Sequence, residues 1–371
     1  MLKLSTFIDE NIGGADVDFE RGIEIVKDIG IDFIDLRTIR KTSVLSCDDA
    51  TLNWGKSVLD RNRVGVAHLA TPLFKCPVSG TKSPSVGQSH RFRGDLTYEQ
   101  NLEFLPRAMK IAEMFGQTSM RCFGFWRDWG ERKFDDVFDE VVNKLGAAAE
   151  IVGRQGFELA LENEMNTLVG TGRELARVLK AVNSPYLKGL YDTGNAYRLG
   201  VTDFLGEYRK LRGRLKHLHI KTEIVQILWG MQGGGQGNGT EDEFCYQPGD
   251  DRGPTVSSIT PWWQPKVPVR GTLTIGDATV EIADVQTPVL LTGTIANDHR
   301  PLFRAMKADG YDGFVSHDCG VGHIVGRDGG SEDVKRRLKR IMDAIRDVIA
   351  EVWREQPATG QPVTAGTDTR H

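Results

Sequence analysis

Glu162, Asp192, His219 and Asp318 are residue types that ligate divalent metals, and each closes a strand-like segment: ELALEN, LKGLYDT, LKHLHIKT and GFVSHD. Each lies where an apolar run meets polar loop residues, and helix-length stretches separate one from the next. A single acid or imidazole means little. At the carboxyl ends of successive parallel strands, however, the four would converge on the mouth of a barrel. Carboxylate oxygens plus one imidazole suit Mn²⁺, Mg²⁺ or Co²⁺ better than a structural zinc.

The neighbours extend the chemistry. Side chains alternate along a strand, so Glu162 and Glu164 share a face and can divide into a metal ligand and an acid or base. Asn195, three residues past Asp192, can donate a hydrogen bond to a substrate oxygen. His217 and His219 face the same side, and either can be the ligand with the other deeper in the barrel. Lys221 continues that face toward a substrate oxyanion. His68, Trp126 and Arg127 complete the candidate pocket. Each has a plainer reading: Glu162 as a salt-bridged carboxylate, His217 as a core imidazole, His68 as barrel filler, Trp126 as core. The joint pattern of four ligand types at consecutive strand ends is what favours a site.

The elements that must position these residues alternate regularly. Strand-like runs at 2–8, 33–39, 64–71, 119–126 and the four named segments are interleaved with helical patterns near 18–29, 48–61, 97–115, 133–154, 171–182, 202–212, 298–309 and 331–354. Eight of each in alternation predict a (β/α)₈ TIM barrel. An open doubly wound sheet would carry a glycine-rich phosphate turn after an early strand, and none is present. The barrel is expected over residues 1–222 and 298–355. Between the seventh strand and seventh helix, 223–297 holds a glycine-rich stretch, Pro-Trp-Trp at 261–263, and a hairpin pattern, VRGTLTI and ATVEIAD, about Gly276-Asp277. Loops beyond about 15 residues are uncommon, so this reads as an inserted β-containing lid or partner-docking subdomain. The tail, 356–371, lacks a hydrophobic period and reads as disordered.

Composition bounds the partners. A net charge of −4 and 26% charged residues give no electrostatic footprint for nucleic acid, and no apolar run approaches the roughly 20 residues that cross a bilayer. Five scattered cysteines without a CxxC pair fit reduced thiols, and the first residues lack a secretory pattern, so the expected compartment is the cytoplasm.

The segments LALENEMNTLVGTG, GLYDTGNAYRLG, HLHIKT and GYDGFVSHD, with GIDFIDLR and ATPLFK earlier, resemble the xylose-isomerase-like sugar isomerase/epimerase superfamily of TIM barrels. The resemblance covers most of 1–222 and 298–354. It implies one divalent ion per chain, usually Mn²⁺, held by Glu162, Asp192, His219 and the position of Asp318. The family usually has Glu at that last position. Asp is one methylene shorter, so His317 or a water is expected to share the task, which puts a two-glutamate epimerase mechanism in doubt. The implied chemistry is removal of a proton beside a carbonyl with a cation stabilising the enediolate, and Glu164, His317 and Lys221 are the candidate catalytic groups. Reprotonation makes a sugar isomerase or epimerase. Expulsion of a β-substituent makes a lyase, as in the C-glycoside deglycosidase catalytic α-subunits, which cleave 3-oxo-C-glycosides alongside a smaller β-subunit. The lyase is the expectation, the isomerase or epimerase its alternative, and a non-catalytic binding barrel a third.

Overall fold

The computed structural model describes residues 2–11, 18–79, 96–127, 134–199, 201, 203–221, 271–275, 278–282, 299–318 and 331–355. Eight parallel strands close into a barrel: β1 (Lys3–Phe7), β2 (Phe33–Leu36), β3 (Gly65–Leu73), β4 (Ser119–Phe123), β5 (Glu158–Glu162), β6 (Leu187–Asp192), β7 (Leu215–Ile220) and β8 (Phe314–His317). Each strand pairs with its neighbours in chain order, and β8 returns beside β1 with Lys3 opposite Phe314 and Thr6 opposite His317. The expected barrel is therefore present, and all eight predicted strands belong to it.

Helices follow the strands, in places split. The pattern predicted over 97–115 divides into Tyr98–Glu103 and Leu105–Met114, with Pro106 in the first turn of the second piece. Proline carries no N–H to bond back and is tolerated there, so the chain restarts its helix at this point. After the single turn Ile8–Asn11, the helices are α1 (Phe19–Asp28), α2 (Asp49–Asn62), α3 (Tyr98–Glu103), α4 (Leu105–Met114), α5 (Phe138–Gly153), α6 (Gly172–Val182), the short α7 (Thr193–Arg198) and α8 (Phe204–Leu211). Thr171 caps α6 by accepting from Glu174 N–H, and Glu174 returns the bond to the Thr171 N–H.

Period-two alternation separates two environments. Leu159 and Leu161, Tyr191, Leu218 and Ile220, and Val315 face outward into one continuous apolar layer beneath the helices, shared with Leu175, Leu179, Leu302 and Phe303. The opposite faces of the same strands line the barrel interior with Ser5, Asp35, His68, Arg121, Glu162, Asp192, His217, His219 and Ser316, all buried. The outer layer supplies the burial that stabilises the fold, at about 25 cal/mol per Å² of apolar surface. The interior carries the polar chemistry.

In the long segment between β7 and the helix Arg300–Ala308, two short strands, Gly271–Ile275 and Ala278–Ile282, pair antiparallel with Ile275 opposite Ala278. The hairpin expected there is present, and its two-residue connection lies outside the described residues, as do the glycine-rich stretch, Pro-Trp-Trp and the tail.

Candidate metal centre

The four residues expected at the strand ends come together. One ligand atom from each of Glu162, Asp192, His219 and Asp318 lies within 4.8 Å of every other, and all four side chains are buried. His219 Nδ1 faces the three carboxylates, 3.2 Å from Glu162 Oε1 and 3.8 Å from both Asp192 Oδ2 and Asp318 Oδ2. The Asp318 N–H donates to the Ile220 carbonyl (3.0 Å), which continues the β7–β8 pairing one residue further and brings the shorter carboxylate level with the others. Asp318 thus reaches the cluster itself.

His317 does not join it. It follows Val315 in alternation, so its side chain lies on the opposite side of β8 from Ser316 and Asp318. The expectation that His317 shares the ligand position is corrected on that ground.

The choice between the two histidines is decided by depth. His219 belongs to the cluster, while His217, two residues lower, pairs through Nε2 with Asp35 Oδ2 (2.9 Å) and stacks on His68 with ring centroids 4.9 Å apart. Asp35 Oδ2 also lies 3.1 Å from His219 Nε2, and Ser5 donates to its other oxygen (2.9 Å). A proton on His219 Nε2, donated to Asp35, leaves the Nδ1 lone pair directed at the carboxylates, as a metal-ligating imidazole requires. Asp35, His217 and His219 also have the types and proximity of a metal group. Because His219 serves both groups, the lower one reads as the hydrogen-bonded support of the upper. His68 is one layer down, 1% exposed, and so fills the barrel beneath the site.

Glu162 is held by Arg121, whereas Asp192 and Asp318 share Lys221. Arg121, buried in β4, donates from Nη1 to Glu162 Oε2 (2.9 Å) and from Nε and Nη2 to the Thr71 and Ala70 carbonyls. That leaves Glu162 Oε1 as the oxygen facing the cluster. Burial favours protonation of Glu162, but Arg121 and His219 outweigh it and hold this carboxyl below its ordinary range. For Asp192, burial dominates, Lys221 opposes it, and the charges of Asp318 and Glu162 reinforce it, so the group lies above the usual carboxylate range. Burial lowers His219, yet Glu162 and Asp35 draw it upward overall. Three buried carboxylates around one imidazole form a donor set whose mutual repulsion a divalent cation would relieve. The residues fit such an ion.

Asn195 borders the cluster. Its amide donates to Asp192 Oδ2 (3.0 Å) and the Asn163 carbonyl (3.0 Å), its N–H donates to Asp192 Oδ1 (2.8 Å), and its Oδ1 accepts from Lys221 Nζ (2.9 Å). Lys221 Nζ is also 3.1 Å from Asp192 Oδ2 and 3.3 Å from Asp318 Oδ2.

Glu164 lies just beyond, where Lys75 Nζ contacts its Oε2 at 3.2 Å. Lys75 Nζ sits 4.2 Å from the Phe123 ring centroid, and Arg121 Cζ is 4.8 Å from that centroid. Phe123 therefore links the Arg121–Glu162 pair to the Lys75–Glu164 pair. Trp126, 5% exposed, lies by Lys75 with 5.6 Å between ammonium and ring. Arg127 is directed elsewhere: Nε donates to the Thr167 carbonyl (3.0 Å) and Nη2 pairs with Glu174 (3.3 Å), so it braces the start of α6.

Asp35, Arg121 and Lys75 were not among the residues singled out from the sequence. The available signal was a lone charge within each apolar strand or strand end, FIDL, SMRCF and TPLFK.

A closed parallel barrel with a carboxylate–imidazole cluster at its carboxyl mouth defines the class: a TIM barrel with a candidate divalent-metal site. Residues 23–233 match the model of the Xylose isomerase-like TIM barrel family, more than half of the 371-residue chain, and the chain belongs to that family. It is 30% identical over 94 residues to inosose dehydratase of Bacillus velezensis (strain FZB42), a match covering 25% of this chain and 31% of that protein. The chain thus matches about a third of the length of this curated relative. Among solved structures, the IOLI protein with a bound zinc atom superposes with a TM-score of 0.59 at 13% identity, covering 96% of this chain and 100% of that one. D-psicose 3-epimerase from Clostridium cellulolyticum H10 gives 0.57 at 14% identity, covering 94% and 99%. The probable 3-DHS dehydratase AsbF from Bacillus anthracis gives 0.56 at 14%, covering 92% and 99%. At these identities the structural likenesses speak for the fold.

Proposed function

We propose that this chain is a divalent-metal-dependent enzyme that removes a proton beside the carbonyl of a sugar-like substrate and completes the reaction by β-elimination. The observation that carries the reading is the convergence of Glu162, Asp192, His219 and Asp318 at one end of the barrel. An ion held there would supply Lewis acidity to vicinal substrate oxygens. Mn²⁺ is the proposed ion, with Mg²⁺ and Co²⁺ as alternatives.

The chain's own residues divide the remaining work. Arg121 keeps Glu162 ionised, which suits a fixed ligand better than a proton carrier. Glu164 is the proposed base: it lies beyond the ligand set, is partly exposed, and is oriented by Lys75. Lys221 is the proposed cation for a developing oxyanion. Phe123 and Trp126 wall the site beside Lys75.

Elimination is preferred to epimerisation because Asp318, at the end of β8, has the shorter carboxylate side chain and is level with the ligands. An epimerase needs a second base that reaches the opposite face of the substrate. The similarity to an inosose dehydratase supports the same branch. A narrower form of the proposal takes a 3-oxo-C-glycoside as substrate. The base removes the C2 proton, the C1–aglycone carbon–carbon bond breaks, and its electron pair leaves with the aglycone, which is then protonated. On this reading the 223–297 segment serves as a lid or the docking site of a small subunit. The second reading, a ketose isomerase or epimerase, is supported by the fold-level likeness to D-psicose 3-epimerase.

The test is to incubate the Mn²⁺-supplemented protein in D₂O with a keto-cyclitol, a 3-oxo-C-glycoside and a free ketohexose, following each by NMR. Loss of water or aglycone, absent in Glu162→Ala, is the expected result. Deuterium exchange with ketose interconversion alone supports the epimerase, and no exchange in any substrate overturns both.

A further inference from the structure

We infer that Lys221 is a built-in competitor of the divalent ion: its ammonium holds the same carboxylate oxygens that the ion needs, so ion binding must displace it. This rests on the metal-site reading above. The atoms coincide. Asp192 Oδ2 and Asp318 Oδ2 are the oxygens turned toward His219 Nδ1, each 3.8 Å from it, and they are also the oxygens in contact with Lys221 Nζ at 3.1 and 3.3 Å. A dication and an ammonium drawn to the same two oxygens repel at short range, and the doubly charged ion takes them in preference.

The fold provides for this lysine. Lys221 follows β7 directly, on the face that carries His217 and His219, and its side chain is nearly buried. Its stem runs across Gly194. A Cβ at position 194 would come within 2.7 Å of Lys221 Cβ and 2.6 Å of its Cγ, too close for any residue but glycine without moving the stem. The run Asp192-Thr193-Gly194-Asn195 thus supplies the ligand, the passage for the lysine, and an acceptor, Asn195 Oδ1, that still holds the ammonium (2.9 Å) after the carboxylates turn away. Displacement moves a positive charge off the ligands and onto the amide oxygen at the edge of the site. Arrival of the ion and presentation of a cation to substrate oxygens become one event.

Calorimetric titration of Mn²⁺ into wild type, Lys221→Met and Lys221→Arg tests this. Methionine keeps the stem and removes the charge, so its affinity should rise roughly tenfold, the equivalent of one charged hydrogen-bonded contact no longer broken. Arginine keeps the charge and should show no gain. Unchanged or weaker binding by Lys221→Met, or equal gains in both variants, overturns the proposal while leaving the metal site standing. Failure of wild type to bind any Mn²⁺ overturns both. Should Lys221→Met not fold, wild type labelled with ¹³Cε-lysine and titrated with Mg²⁺ decides the matter. One lysine resonance, missing from Lys221→Arg, should shift with the calorimetric midpoint; no shift at saturation overturns the inference.

Discussion

At the residue scale, the support of the ligands is as specific as the ligands themselves. Asp35 touches no other carboxylate of the cluster, yet it sets which nitrogen of His219 carries the proton. Asp35→Asn keeps the shape but can offer its NH₂ to His219 Nε2 and reverse the tautomer. Mn²⁺ affinity should fall about 10–100-fold with the circular dichroism spectrum unchanged, which equilibrium titration measures. Arg121 acts differently. Arg121→Met leaves Glu162 Oε2 as a buried oxygen without its cation, so urea unfolding in the presence of a chelator should show a loss of about 3–5 kcal/mol. Added Mn²⁺ should recover part of it by neutralising the same carboxylate.

At the element scale, the strand ends near the site are tied to helix starts. The α6 N-terminus carries two caps. Thr171 and Glu174 form one within the helix, and Glu207 of α8 forms the other by accepting from the Gly172 N–H (2.8 Å) and Arg173 N–H (3.1 Å). Glu207 is buried and also accepts from the Tyr191 hydroxyl at 3.3 Å, so it couples α6, α8 and β6, the strand that ends in Asp192. Thr171→Ala should cost about 1 kcal/mol, as a surface cap does. Glu207→Ala should cost more, about 1–3 kcal/mol, because it leaves buried N–H groups unsatisfied. Urea melts of both variants check the order, and a larger loss in Thr171→Ala would refute the buried-cap account. Asn163 makes a similar tie: it accepts from the Asp192 N–H (2.7 Å) and donates to the Asp192 carbonyl (2.9 Å), joining the β5 and β6 ends that bear two ligands.

At the scale of the whole molecule, every residue of the candidate centre among the described residues lies outside the long segment after β7. The eight strands, the four ligands and Lys221 all lie outside 222–298. The two ends of that segment meet the same turn: Lys221 contacts Asp192 and His299 Nε2 lies 3.0 Å from Thr193 Oγ1. A flexible linker of about a dozen Gly/Ser residues, with a mean reach near 20 Å, should therefore bridge them. Replacing residues 223–297 in this way should leave Mn²⁺ affinity within about threefold of wild type, by calorimetry. Loss of metal binding or of cooperative unfolding would show that the segment is integral to the barrel.

The fold was legible because strand and helix leave different periodicities, and eight repetitions of both admit few architectures. The convergence of Glu162, Asp192, His219 and Asp318 was legible because a barrel places every strand's carboxyl end at one rim, so residue type and strand end sufficed. Support residues were not. Asp35, Arg121 and Lys75 are single charges in apolar surroundings, and period-two alternation states which face each occupies but not what stands opposite. His217 and His219 share a face, as do Ser316 and Asp318, so alternation could not rank them either.

What the amino-acid order determined by itself was the alternation of elements, the two-faced strands, and the ligand types at their ends, all of which follow from local spacing. Only the tertiary structure decided that His219 rather than His217 meets the carboxylates, that Arg121 holds Glu162, and that Lys221 rests on Asp192 and Asp318. These depend on depth along the barrel axis and on contacts between residues distant in the chain, and local spacing carries neither.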